Sequence, residues 1–435
     1  MNARTTALSA LIACRKQGAW ADGILKEYII RDRLDKRDAA LASRLCYGVL
    51  QNRMLLDHHI QTCLTSSIKK LQPVVLDILR LGMYQILLMD KIPVSAAVNE
   101  AVEQCKKYAN RSASGLVNGV LRRAVREKET LPAPKELSVR YSHPQPLVDL
   151  LEETVGNDQI EALLASHNQA PRTVLQINTL VAESADVKQV LEVQNVSLEP
   201  HPWLSDAFYA SGTGNLEQLE LFRQGAFLVQ DPAARLAVLA ADLRPGMRVL
   251  DCCAAPGGKS FAAAMAMNNQ GTLTSCDIHE HKISLLQKGA ERLQISILEP
   301  KLHDARSFEP QWEQTMDVVL ADVPCSGLGV IRKKPDIRYK DLRDLERLPD
   351  IQTDILENVS RYVKPGGTLI YSTCTILRRE NEDIVTAFLQ RHPEYSPDPF
   401  SIPEALGGGT YHWITLLPSI HDTDGFFICK LRRSL

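Results

Sequence analysis

Residues 248–260 read RVLDCCAAPGGKS, and this stretch decides the fold. An apolar run closes on Asp251, small residues follow from Ala254 to Gly258, and a helical pattern starts at Lys259. Small residues at a strand-to-helix turn let a ligand approach the backbone closely. The first N–H groups of the helix favour a negative group such as a carboxylate. A phosphate-binding P-loop needs glycine at position 253, where this chain has cysteine, so the Gly-Lys-Ser ending does not make an NTPase.

The same alternation continues downstream. TLTSCDI (272–278), DVVLADV (317–323) and TLIYST (368–373) each read as a short buried strand. Helices are expected at 259–267, 281–294, 350–362 and 380–391 from their apolar spacing. Strands alternating with helices predict an open, mostly parallel sheet, which binds its ligand just beyond the carboxyl ends of the strands. Asp277 therefore closes the second strand where an acidic side chain can accept hydrogen bonds from both ribose hydroxyls of a nucleoside. The next strands deliver Asp322-Val323-Pro324-Cys325-Ser326-Gly327 and Ser372-Thr373-Cys374-Thr375 to the same edge, which predicts two thiols converging on one pocket, with two buried structural cysteines as the competing reading.

Upstream, the first 130 residues read as helices. Leu76, Leu79, Met83, Ile86 and Leu87 follow one helical face, as do Val98, Ala101, Val102 and Cys105, then Val117, Val120, Leu121 and Ala124. Pro73 and Pro93 punctuate the pattern and the stretch from Leu131 to Pro134 ends it. Between bundle and sheet, RTVLQINTL (172–180) and AFYAS (207–211) read as strands flanking a helical DVKQVLEVQ (186–194), a small α/β insert. The expected division is 1–140 for the helical module, 141–220 for a linker and the insert, and 221–435 for the α/β domain.

The formal net charge is −2. Residues 1–140 hold 23 Lys+Arg against 13 Asp+Glu, or +10, which leaves −12 for the remainder. A basic module joined to an acidic one points to a polyanion partner. Cysteines at 14, 46, 63, 105, 252, 253, 276, 325, 374 and 429 show no CxxC pair and read as free thiols. Cys252-Cys253 and His279-x-His281 lack zinc-ligand spacing, so no metal is expected. With no long apolar run and no signal-peptide pattern at the N-terminus, a cytoplasmic protein is expected.

DCCAAPGGK, ADVPCSG and YSTCT resemble the RNA 5-methylcytosine methyltransferases, and GVIRKKPDI (329–337) resembles the RsmB (Fmu, or Sun) branch of that family. The resemblance covers nearly the whole chain. It implies a NusB-like all-α bundle for RNA binding, a small α/β insert and a Rossmann-like methyltransferase domain. It further implies S-adenosyl-L-methionine as methyl donor, 16S ribosomal RNA as partner and a cytosine as target, in a protein expected to be monomeric.

Cytosine carbon 5 is a poor nucleophile, so the reaction needs a thiolate to add at carbon 6. The family pattern makes Cys374 that thiolate and gives Cys325 the release of the covalent adduct, with Asp322 contacting the cytosine edge. Related DNA enzymes attack from the Pro-Cys turn, so the reversed roles are the alternative. By the same carry-over, Cys253, Ala254, Ala255, Pro256, Gly257, Gly258 and Lys259 would line the cofactor pocket with Asp277, Asp304 and Asp322, Asp304 serving the adenine. Arg332, Lys333 and Lys334 form a basic loop on an otherwise acidic domain and are expected to face RNA.

The chain departs from the family pattern at Arg378-Arg379-Glu380-Asn381, where Pro-Glu-Glu-Asn is usual. It departs again in FLVQDPAARLAV (227–238), where Ala233 and Ala234 replace an expected serine. Two rival readings are a non-catalytic RNA-binding or antitermination factor, and a methyltransferase acting on transfer RNA or DNA.

Overall fold

The computed structural model describes residues 2–17 and 20–435. The chain forms two compact units, Met1–Gln169 with Ile331–Lys340, and Ala170–Val330 with Asp341–Leu435. This division differs from the expected one in two places. The helices Gln145–Val155 and Asn157–Ser166 belong with the helical unit rather than with a linker, and so does a ten-residue strap, 331–340, drawn from the middle of the α/β domain.

The helical unit is built as its apolar periodicity dictates. Leu79, Met83, Ile86, Val98, Ala101, Cys105, Val117, Val120, Leu121 and Ala124 are all buried in one core. Pro73 opens the helix Pro73–Leu88 at its first turn, where the missing N–H costs nothing. Asp35 caps the helix Lys36–Gln51 by accepting from the Asp38 backbone N at 2.8 Å. Glycine inside that helix costs about 1 kcal/mol of propensity relative to alanine. Gly48 is nevertheless required, because a Cβ there would lie 2.0 Å from the Tyr84 ring.

In the second unit, strands β1 (Thr173–Ile177), β2 (Ser197–Pro200), β3 (Ala207–Ser211) and β4 (Phe227–Val229) form an antiparallel sheet in the order β2-β3-β1-β4. The helix Ser184–Val193 covers it through Val187 and Leu191. The small α/β insert read from the sequence is thus present, with β2 and β4 added to the two strands expected.

The main sheet uses β5 (Arg248–Asp251), β6 (Thr272–Asp277), β7 (Leu298–Leu302), β8 (Met316–Asp322), β9 (Val363–Thr373) and β10 (Tyr395–Pro397). A two-residue pair, β11 (Phe400–Ser401) and β12 (Thr410–Tyr411), stands apart, and β13 (Trp413–Leu416) and β14 (Phe426–Arg433) complete the chain. The order is β10-β14-β9-β8-β5-β6-β7, with β13 pairing β14.

Strands β5 to β9 pair in parallel and β14 runs antiparallel to β9. The chain moves from β5 outward through β6 and β7, then returns to the other side of β5 as β8. That reversal opens a crevice at the carboxyl ends of β5 and β8. Apolar side chains pack on both faces of the sheet, Val249, Leu273 and Ile370 in one core and Leu250, Val319 and Tyr371 in the other. Among the described residues no helix is long and apolar enough to cross a membrane.

Candidate active site

The turn after β5 leads into the helix Gly258–Ala266. Gly257, just before it, has φ +114°, and a Cβ there would lie 2.4 Å from the Phe261 ring. Only glycine meets both demands, and the turn stays bare. Beneath it, Asp251 is fully buried and accepts from Ser260 Oγ at 2.7 Å, while that hydroxyl also meets Ser275 Oγ at 2.8 Å. Burial pushes the Asp251 carboxyl up to about 6, against the opposing hydrogen bond from Ser260.

A cavity of about 430 Å³ opens at the carboxyl ends of the strands. Cys253, Ala255, Asp277, Asp304, Asp322, Cys325 and Cys374 all line it. Asp277 accepts from the His279 backbone N at 3.0 Å and from Lys282 Nζ at 3.4 Å. Asp304 is held by Arg306 at 2.7 Å, and that guanidinium keeps its carboxyl below the usual range. Asp322 closes β8 with one oxygen 2.7 Å from Lys259 Nζ and the other 2.9 Å from Ser372 Oγ. Burial opposes the charge on Lys259, but the paired Asp322 outweighs it and the ammonium holds its proton more tightly than usual.

Cys325 Sγ and Cys374 Sγ are 3.2 Å apart. Either sulfur can donate in this contact, and the bond lowers the proton affinity of Cys374 against the opposing effect of burial. The same bond, with burial, holds the Cys325 proton in place. Two thiols this close can share one proton, so one of them can ionise more readily than an isolated thiol.

The residues that hold these turns escaped the sequence reading, which noted 378–381 only as a departure from the family pattern. Glu380 is fully buried, and its Oε2 accepts from the Ser326 backbone N at 2.9 Å and from Gln352 Nε2 at 2.8 Å. Asn381 accepts from Thr373 Oγ1 at 2.6 Å and donates to the Thr375 carbonyl at 3.1 Å. Neighbouring residues thus brace one cysteine turn each, and Ser326 Oγ joins the turns by donating to Thr375 Oγ1 at 2.7 Å. An acid and an amide directly before the helix Glu382–Arg391 were the available signal. Arg378 is exposed and pairs with Asp383 at 3.1 Å.

The structure does not bring the basic loop to this cavity. Arg332 is buried, against the expectation of an RNA-facing side chain, because Ile331, Pro335, Ile337 and Arg338 draw the strap into the helical unit. Lys333 and Lys334 instead line a separate cavity of that unit, beside Trp20 and Tyr47. In the FLVQDPAARLAV stretch, Asp231 caps the helix Pro232–Ala240 and Ala233 is buried. No group of three or more His, Cys, Asp or Glu side chains is placed to hold a metal among the described residues.

A doubly wound sheet with its crevice beyond β5 and β8, a bare glycine turn and a terminal acid on β6 defines a Rossmann-like methyltransferase domain. Three family models match the chain: 16S rRNA methyltransferase RsmB/F over residues 238–432, the NusB family over 1–126, and the RsmF/B-like ferredoxin-like domain over 143–216. The chain is 36% identical to "Probable ribosomal RNA small subunit methyltransferase B" of Bacillus subtilis (strain 168), across 99% of this chain and 98% of that one. It is 32% identical to the protein of the same description from Synechocystis, across the full length of both. The crystal structure of PH0851 superposes with a TM-score of 0.81 at 25% identity, across 99% of this chain and 98% of that one. The chain belongs to the 16S rRNA methyltransferase RsmB/F family.

Proposed function

We propose that this protein transfers a methyl group from S-adenosyl-L-methionine to carbon 5 of a cytosine in 16S ribosomal RNA, through a covalent adduct on Cys374. The observation that carries this reading is the pair of thiols 3.2 Å apart at the ends of β8 and β9, inside a cavity lined by Asp277. The cavity suits a nucleoside-sized ligand, since about 430 Å³ falls in the usual range for such pockets. The turn after β5 fits as well, because its small Cys253 and Ala255 line the cavity and let a cofactor lie close to the backbone. Cys253 through Lys259, Asp277, Asp304 and Asp322 would hold the donor, which supplies an electrophilic methyl group.

The Cys374 thiolate adds to carbon 6 of the base, and the displaced π electrons move to carbon 5, which then takes the methyl group. Asp322 contacts the cytosine edge. With the demethylated donor left as S-adenosylhomocysteine, a base, either water or a deprotonated Cys325, would take the carbon-5 proton; the C–H electron pair re-forms the C5–C6 double bond and expels Cys374 as thiolate. The division of labour along the chain follows: the helical unit, which contains 1–140, binds RNA, the insert lies within 141–220, and 221–435 performs the transfer. Lys333 and Lys334 would add RNA contacts. The protein acts in the cytoplasm, as a monomer and without a metal.

Separate variants test the two thiols. Cys374→Ala should abolish methyl transfer and form no adduct, because no nearby group replaces the thiolate. Cys325→Ala should attack and then stall, leaving a protein–RNA band on a denaturing gel. A trapped band from Cys374→Ala alone would reverse the roles. No band from either variant, with RNA and cofactor binding intact, would refute covalent catalysis.

A further inference from the structure

Two thiols in contact are chemically equivalent until their surroundings distinguish them. Glu380 is the buried acid nearest in the chain's own bonding to the Cys325 turn. Its Oε2 accepts from Ser326 N, one residue beyond Cys325, and from the amide of Gln352. That amide also donates to the Pro324 carbonyl at 3.0 Å, one residue before Cys325. The peptide groups flanking Cys325 are therefore tied through one carboxylate and one amide, both fully buried. Tyr371 holds the Glu380 backbone in turn, its hydroxyl donating to the Glu380 carbonyl at 2.6 Å. Oε1 of Glu380 is buried with no hydrogen-bond partner, and no cation pairs with the group among the described residues. A fully buried acid with an unpartnered oxygen is costly, so Glu380 is out of place as mere packing.

We propose that Glu380 is a positioning residue that assigns the two thiols their separate roles. It clamps the Pro324–Ser326 turn and sets a carboxylate on the Cys325 side of the pair, so that the shared proton rests on Cys325 and Cys374 stands as the nucleophile.

The other charges around the pair do not make that assignment by themselves. Lys259 favours the thiolate of Cys374, while Asp322 and Asp424 oppose it. The charge that opposes ionisation of Cys325, beyond Cys374 itself, is Glu380. The Tyr371 hydroxyl also faces Cys325 and is kept protonated, chiefly by burial. Removing the Glu380 charge should thus ease ionisation of Cys325 more than that of Cys374.

This inference rests on the roles proposed above for Cys374 and Cys325, and thiol alkylation tests the two separately because it needs no RNA and no turnover. The full-length reduced protein is treated with iodoacetamide over a range of pH, and labelling of each cysteine is followed by peptide mass spectrometry. The native protein should label Cys374 faster than Cys325. In Glu380→Gln, which keeps shape and an acceptor oxygen but loses the charge, the preference should fall by roughly tenfold. Gln352→Leu, which loosens the clamp and keeps the charge, should retain a preference for Cys374.

Faster labelling of Cys325 in the native protein would overturn the assignment of the nucleophile itself. A native preference for Cys374 that survives in Glu380→Gln, or that collapses equally in Gln352→Leu, would overturn the role of the Glu380 charge alone. If Glu380→Gln does not fold, Glu380→Asp decides, since it preserves the charge: a retained preference supports the proposal and its disappearance overturns it.

Discussion

Asp277 illustrates what a single residue contributes. It ends β6, its carboxylate is already oriented by the His279 amide and by Lys282, and it faces the cavity. Asp277→Ala removes an ionic acceptor and should weaken S-adenosyl-L-methionine binding by about 1.5–3 kcal/mol. Unchanged affinity in titration calorimetry would reject that placement. Its position was legible because a strand that ends on an acid can be read from alternation alone. The part played by Glu380 was not, since the bond to Ser326 spans 54 residues and local pattern carries no trace of it. Asp304 lies between: its place after a short strand is readable, but its tether to Arg306 is a matter of side-chain geometry.

The element that most departs from expectation is the strap 331–340. Arg338 is buried, and its guanidinium donates to the carbonyls of Gln51 at 2.8 Å, Tyr141 at 3.1 Å and His167 at 2.9 Å. Burial alone pulls its proton affinity down to about 10. Tyr339 adds a bond to the Leu50 carbonyl at 3.0 Å and stacks under Arg53. Arg338→Met would strand several buried carbonyls at once and should destabilise the helical unit by at least about 3 kcal/mol, read from a urea midpoint.

The same cage holds His143 and His167, with ring nitrogens 3.1 Å apart, and burial together with Arg338 keeps both far below the usual imidazole range. In the unfolded chain each takes up a proton near pH 6.5, so below about that pH the unfolded state binds more protons and stability falls. A urea midpoint unchanged between about pH 7.5 and about pH 5.5 would contradict this. Sequence placed the strap's basic residues on the surface because charge ordinarily lies there. The carbonyl cage that accepts Arg338 is assembled from three separate stretches of chain.

For the molecule as a whole, the +10 of residues 1–140 is the property most directly tied to RNA. Deleting the segment is a poor test, since it would strip Leu50 and Gln51 from the strap. A surface cluster is better suited: Lys69 and Lys70 in the short turn Ile68–Lys70, Lys107 in the last turn of the helix Val94–Tyr108 and Arg111 just beyond it are exposed, and the Asn110 to Gln72 hydrogen bond at 3.3 Å joins the two segments. Changing these four to Gln should flatten the dependence of RNA affinity on salt by about 0.7 in log–log slope for each phosphate that is no longer neutralised. An identical slope would show that this cluster faces away from RNA.

The helices of the first 130 residues and those that follow β5, β6, β8 and β9, these parallel strands themselves and the two cysteine turns were determined by sequence, because apolar periodicity and turn residues act over a few positions. The antiparallel addition of β14, the clamp through Glu380 and the capture of the strap were decided only by tertiary structure. Each depends on hydrogen-bonding groups far apart in the chain, whose partners exist only once burial has brought them together.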